Sequence, residues 1–125
     1  MSEYPKFSLA FNIASNNKDR LKAFELYQET FGAIKTWEAG NAPSGNDIHI
    51  GMQINGINFM LGPGGEKNEE HIVTIELMFD NENDLRRAYD ILIKEGRNYS
   101  IGSYPWAPTG ALVTDKYGVT WWLRT

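Results

Sequence analysis

The sequence predicts an α+β fold of two βαβββ repeats, with curved mixed sheets around a cleft and helices on the outer face. Three observations predict it. The chain has 125 residues, a common size for one domain. Two segments recur in the same order at nearly one offset. In each half the apolar pattern passes from strand to helical spacing and back to strands.

The repeat is visible residue by residue. Asp19-Arg20-Leu21-Lys22-Ala23-Phe24-Glu25-Leu26 returns as Asp84-Leu85-Arg86-Arg87-Ala88-Tyr89-Asp90-Ile91, 65 positions on. Asn55-Gly56-Ile57-Asn58-Phe59-Met60-Leu61 returns as Tyr117-Gly118-Val119-Thr120-Trp121-Trp122-Leu123, 62 positions on. We read 1–125 as a single domain, with repeat one at about 6–62, a linker at about 63–69 and repeat two at about 70–125.

Each element has a local reason. An apolar strand runs over about 6–13, and the polar Ser15-Asn16-Asn17 cluster caps the helix that follows. Leu21, Phe24, Tyr27 and Phe31 recur at helical spacing, and Gly32 suits a left-handed helix end. Strands follow at about 33–38, 48–54 and 57–62, with Asn55-Gly56 as a two-residue hairpin turn. The second half opens with a strand from His71 to Phe79, and Asn81 to Asp84 supply cap candidates. Leu85, Ala88, Tyr89 and Leu92 form the helical stripe, which Gly96 ends. Strands at about 98–103, 110–114 and 118–124 complete the repeat. The turn-rich stretch from Gly62 to Asn68 joins the halves.

Side chains alternate along a strand, so each strand divides into two faces. Leu9 and Phe11, Ile50 and Met52, Phe59 and Leu61, Val73 and Leu77, and Trp121 and Leu123 fall on a nearly all-apolar face. That face is expected to pack under the helices. The opposite face mixes Asn12, His49, Gln53, Asn58, Glu76 and Arg124 with Met60, Met78 and Trp122. A partly enclosed cleft accommodates both kinds of group. An ordinary solvated face or a dimer contact is the plainer reading.

Composition excludes several chemistries. There is no cysteine, so disulfides, thiolate metal sites and a cysteine nucleophile are ruled out. The net charge is −4 and no concentrated basic face is visible, which argues against a nucleic-acid partner. No stretch approaches the roughly 20 apolar residues of a membrane span, and Met1 to Lys6 carry no apolar run. The expectation is a cytoplasmic protein. Gly62 to Gly65 lacks the Lys-Ser/Thr and apolar helix of a phosphate loop.

At this point the chain resembles the vicinal oxygen chelate (glyoxalase/bleomycin resistance/dioxygenase) superfamily, and within it the PhnB-like branch. Phe24-Glu25-Leu26-Tyr27-Gln28-Glu29-Thr30-Phe31-Gly32 is similar to that group's first-helix ending. Val113-Thr114-Asp115-Lys116-Tyr117-Gly118-Val119-Thr120-Trp121-Trp122-Leu123 is similar to its closing hairpin. The resemblance implies a homodimer. It also implies that metal-using members would place ligands near Ser8, Met60, Thr74 and Trp122. None of these is a good ligand for a divalent metal. No cofactor is therefore expected, and a divalent metal is disfavoured. His49, Gln53 and Glu76 are the residues that could rebuild a site, whereas His71 beside Glu69 and Glu70 reads as a solvated strand entry.

The candidate residues carry several readings. Glu76 interrupts an apolar strand; it is either paired with Arg124 or His49, or a general base in a cleft. His49 is either a proton shuttle or a hydrogen-bonded wall residue. Arg124 is either an anion clamp or exposed near the end of the sequence. Tyr104-Pro105-Trp106-Ala107-Pro108 reads as a rigid loop before a strand, a lid or a partner contact, and Trp37 reads similarly. The leading expectation is a small-molecule binding protein lacking the usual metal ligands. It would hold an organic compound between Met60, Met78, Trp122 and a lid near Trp106. Asn58, Thr74, His49, Glu76 and Arg124 would orient that compound. The alternatives are a lyase or isomerase moving a proton with Glu76 or His49, and an interaction protein whose cleft is filled.

Overall fold

The computed structural model describes residues 5–13, 16–40, 45–63 and 73–125. The chain divides into two compact units, Met1–Lys67 and Asn68–Thr125. The first contains β1 (Leu9–Asn12), α1 (Asn17–Phe31), β2 (Ile34–Ala39), β3 (His49–Ile54) and β4 (Ile57–Gly62). The second contains β5 (Ile75–Met78), α2 (Glu82–Ile93), β6 (Arg97–Tyr104), β7 (Ala107–Thr114) and β8 (Thr120–Arg124). The sheets have orders β1-β4-β3-β2 and β5-β8-β7-β6, so each half repeats one topology. Both sheets are mixed: β1 runs parallel to β4 and β5 parallel to β8, and the other pairs are antiparallel.

In the first unit Asn16 caps α1, its side chain accepting from the Asp19 amide at 2.9 Å. Gly32, at φ 69, ends the helix in the left-handed region. Asn55 and Gly56 both have positive φ, as a two-residue hairpin turn requires. Ile48, Ile50, Met52, Phe59 and Leu61 are buried, and α1 packs against β3 and β4. The buried stripe of α1 departs from the expectation. Phe24 and Tyr27 are buried, but Leu21 and Phe31 are only half-buried. Asn17, Arg20, Ala23 and Thr30 complete the inner face. Hydrophobic periodicity missed Asn17 and Arg20 because polar residues buried by hydrogen bonding leave no apolar signal.

In the second unit Asn81 caps α2, accepting from the Asp84 amide at 2.8 Å. Leu85, Ala88, Tyr89 and Leu92 form its buried face against β7 and β8. Burial lifts the Tyr89 phenol above its ordinary range. Asp115, fully buried, closes the β7–β8 turn. Its carboxylate accepts from the Tyr117 and Val119 amides at 2.9 and 3.1 Å, and from the Trp121 indole at 2.8 Å.

Four expectations are corrected here. Gly96 does not end α2; the helix stops at Ile93, and Lys94 caps it in the right-handed region. A side chain at Gly96 would meet the Leu92 and Thr114 carbonyls at 2.6 and 2.7 Å, so close approach is what requires glycine. The fifth strand begins at Ile75, and His71 lies outside the described residues, as do Gly64 to Glu69 of the linker. Val73, assigned to the apolar face, is 62% exposed. Pro105-Trp106 is not a loop before a strand: it is the two-residue turn joining β6 to β7, where Tyr104 pairs with Ala107.

Candidate functional site

The mixed face of the first sheet is laid out in cross-strand rows. Ala10, Met60, Gly51 and Trp37 are successive partners across β1, β4, β3 and β2. The pairing of Asn12 with Gly62 and of Ala39 with His49 belongs to the next turn of the pleat. On the other side of the first row Gln53 pairs with Asn58, and Gln53 Nε2 donates to Asn58 Oδ1 at 2.9 Å.

Glycine in this face makes room for its neighbours. A Cβ on Gly51 would overlap Nε1, Cδ1 and Cε2 of the Trp37 indole. On Gly62 it would stand 2.9 Å from Met60 Sδ and 3.3 Å from His49 Cδ2. The large side chains therefore lie down over glycine. They bound a concavity of about 400 Å³ lined by Ala10, Trp37, Ala39, His49 and Met60, with Pro5 and Ser8 from the approach to β1. That volume lies in the range of small-molecule sites.

His49 is oriented from behind. Its Nδ1 lies 2.8 Å from the Asp47 carbonyl. A carbonyl only accepts, so the proton of this bond sits on Nδ1, and Nε2 is left for a ligand. The peptide that holds it is fixed by α1. Arg20 Nη1 donates to the Asn46 and Ile48 carbonyls at 3.2 and 2.9 Å, and Nε donates to the Ile13 carbonyl at 3.3 Å. Asn17 Oδ1 accepts from the Ile48 amide at 2.7 Å, and Asn17 Nδ2 reaches Asp47 Oδ1 at 3.3 Å. Arg20 and Asn17 are fully buried. Burial lowers the Arg20 pKa, an effect that the charge of Asp47 opposes.

On the mixed face of the second sheet, Glu76, Trp122, Leu112 and Ser100 form one row. Met78, Arg124, Gly110 and Gly102 form the next. Trp122 lies over Gly110, where a Cβ would come within 2.5 Å of its ring. Tyr104 meets Trp122 edge-on, 5.4 Å between centroids, and Trp106 at 5.3 Å. Arg124 Nη2 donates to the Trp106 carbonyl at 2.6 Å. This bond ties the guanidinium to the β6–β7 turn.

The predicted residues are placed as follows. Met60, His49 and Ser8 share the wall of the first unit's concavity, with Asn58 on the same face. In the second unit Trp106 and Trp122 each contact Tyr104, and Arg124 bonds the Trp106 carbonyl. Glu76 is exposed opposite Trp122, with no hydrogen bond or ion pair among the described residues. Thr74 and Met78 are also exposed. The parallel registers put Ala10 opposite Met60 and Glu76 opposite Trp122, two residues on from Ser8 and Thr74 along the same face. Sequence reasoning missed the seat of Trp37 on Gly51. The signal for it, an isolated glycine inside a strand pattern, was present.

A divalent metal fits this donor set poorly within either unit. Among the described residues no three His, Asp or Glu side chains come together. The first unit's concavity brings one imidazole, and the second sheet's mixed face brings one carboxylate, Glu76. Three or four ligands are the usual requirement.

Comparison with known proteins places this geometry in context. A comparison with curated proteins gives no match. Among solved structures, a PhnB protein from Bacillus cereus is 19% identical, with 96% of this chain and 98% of that one covered at a TM-score of 0.79. FosX, a fosfomycin resistance protein from Mesorhizobium loti, is 12% identical, with coverage of 100% and 93% and a TM-score of 0.63. Listeria monocytogenes FosX, solved with Mn(II) and 1S,2S-dihydroxypropylphosphonic acid, is 15% identical, with coverage of 94% and 88% and a TM-score of 0.65. At these identities the likeness is one of fold. The family model of the Glyoxalase/Bleomycin resistance protein/Dioxygenase superfamily matches residues 12–123, and the chain belongs to that superfamily.

Proposed function

We propose that this protein is a small-molecule binding member of its superfamily that works without a divalent metal and holds an organic compound against the first sheet. The concavity beside Trp37, His49 and Met60 carries this reading. It has the volume of a ligand site, one oriented polar group and otherwise mostly apolar walls. In this reading Met60 and Trp122 stand where metal-using relatives would place ligands. A thioether and an indole there favour burying an organic surface over binding a hard cation.

Thermal unfolding tests the proposal. The protein is melted with a chelator, with Mn²⁺, Ni²⁺, Zn²⁺ or Fe²⁺, and with a metabolite library under chelator. A ligand at 100 times its Kd adds about 2.7 kcal/mol, a readily seen shift. The expected outcome is no metal response and a shift from an organic compound. A shift from metal alone would overturn the metal-free reading.

A second reading, proton transfer next to a carbonyl, is favoured by one observation. The Asp47 carbonyl leaves His49 Nε2 as the free base of the neutral ring. Once a substrate is found, His49→Gln is then expected to lower turnover by about 10²-fold or more. A pure binding protein would show a changed affinity and no turnover to lose.

A further inference from the structure

We propose that the concavity of the first unit selects an uncharged, planar molecule that donates one hydrogen bond to His49 Nε2, such as a phenol-like or enolic hydroxyl. The proposal rests on the binding reading above and adds the class of ligand.

The sign of the hydrogen bond comes from the backbone. The Asp47 carbonyl, 2.8 Å from Nδ1, takes the ring's proton on that side. Nε2 of the neutral ring then has a lone pair and no hydrogen, so it can only accept. Rotating the carbonyl away would release this choice, but the peptide is held on both flanks. Arg20 grips the Asn46 and Ile48 carbonyls, and Asn17 grips the Ile48 amide. Both side chains are fully buried. The tautomer is thus set by a scaffold that a ligand does not touch.

The charge of the ligand follows from the walls. Apart from His49, the described residues of the lining are proline, serine, alanine, tryptophan and methionine. No cationic side chain among the described residues of the lining would compensate a carboxylate or phosphonate, and no carboxylate would compensate an amine. A charged group set against that wall finds no compensating partner among the described residues. The shape follows from Trp37. Its indole is laid on the Gly51 backbone and offers a flat wall on which a planar ring stacks. The Ser8 hydroxyl can donate or accept, so it does not change the sign set by His49.

Three probes of nearly one shape separate these features: 2-naphthol, its methyl ether 2-methoxynaphthalene, and 2-naphthoate. Calorimetric titration at pH 8 under chelator is expected to rank 2-naphthol about tenfold tighter than either of the others. His49→Phe keeps a flat ring but removes the acceptor. It is expected to bring 2-naphthol down to the level of the ether and leave the ether unchanged. A direct check needs no variant: long-range proton–nitrogen correlation is expected to show His49 protonated at Nδ1. Equal binding of the ether and the naphthol, tighter binding of the naphthoate, or a proton on Nε2 would overturn the proposed class while leaving a binding site in place. No binding by any probe, together with no response to the wider library under chelator, would overturn the binding reading itself.

Discussion

Gly51 and Trp37 show how much of the candidate site depends on one missing methyl group. The indole occupies the space a Cβ would take, so the flat wall of the concavity exists because residue 51 has no side chain. Gly51→Ala is expected to push Trp37 off the sheet, destabilise the protein by roughly 1–3 kcal/mol and weaken any ligand of the concavity. Urea unfolding and a ligand titration check this. Unchanged affinity would mean that Trp37 forms no part of the site. His49 was visible in the sequence as a polar residue on a mixed face, and the structure keeps it there. Its orientation was not visible, because it depends on Arg20 and Asn17, about 30 residues earlier. Such side chain to backbone bonds between distant segments leave no periodic trace.

At the level of elements, α2 is anchored through its first turn. Thr109 of β7 donates to the Glu82 carboxylate at 2.5 Å, and Arg86 pairs with the same side chain at 3.1 Å. The hydroxyl first, and then the guanidinium, lower the Glu82 pKa. The folded state therefore holds fewer protons than the unfolded chain in the window between the two pKa values. The stabilisation is fully present above the ordinary value of 4.5 and is lost as pH falls through the lowered one. Thr109→Val is expected to flatten that part of the acid unfolding curve and to raise the Glu82 titration seen by NMR. An unchanged curve would show that Arg86 alone holds the carboxylate. The elements themselves were largely legible. The Asn-Gly turn, both asparagine caps and the α2 stripe all lie where the sequence put them. The β6–β7 turn was misread because two prolines on either side of a tryptophan looked like a rigid loop before the strand. The chain instead turns within Pro105-Trp106, and Trp106 packs back on Tyr104.

For the whole molecule, the internal repeat carried the fold. Asn16 and Asn81 cap the two helices at the offset of 65 read from the helices, and Phe59 and Trp121 repeat at the hairpin offset of 62. The two sheets share one strand order. The halves differ in what they set on that common frame. The first lays Trp37, His49 and Met60 around an open concavity, and the second packs both Trp106 and Trp122 against Tyr104. A shared fold with divergent faces is how one superfamily hosts many functions. It is also why the family was readable from the sequence and the ligand was not.

We propose that the first unit's concavity binds an organic molecule without metal. The most direct measurement is an amide NMR titration of the protein, kept under chelator, with a compound found in the thermal screen. Saturable shifts clustered on Ala10, Trp37, Ala39, His49 and Met60 are expected. Shifts confined to the second sheet around Trp122 and Glu76, or shifts that appear only when a divalent metal is restored, would contradict it.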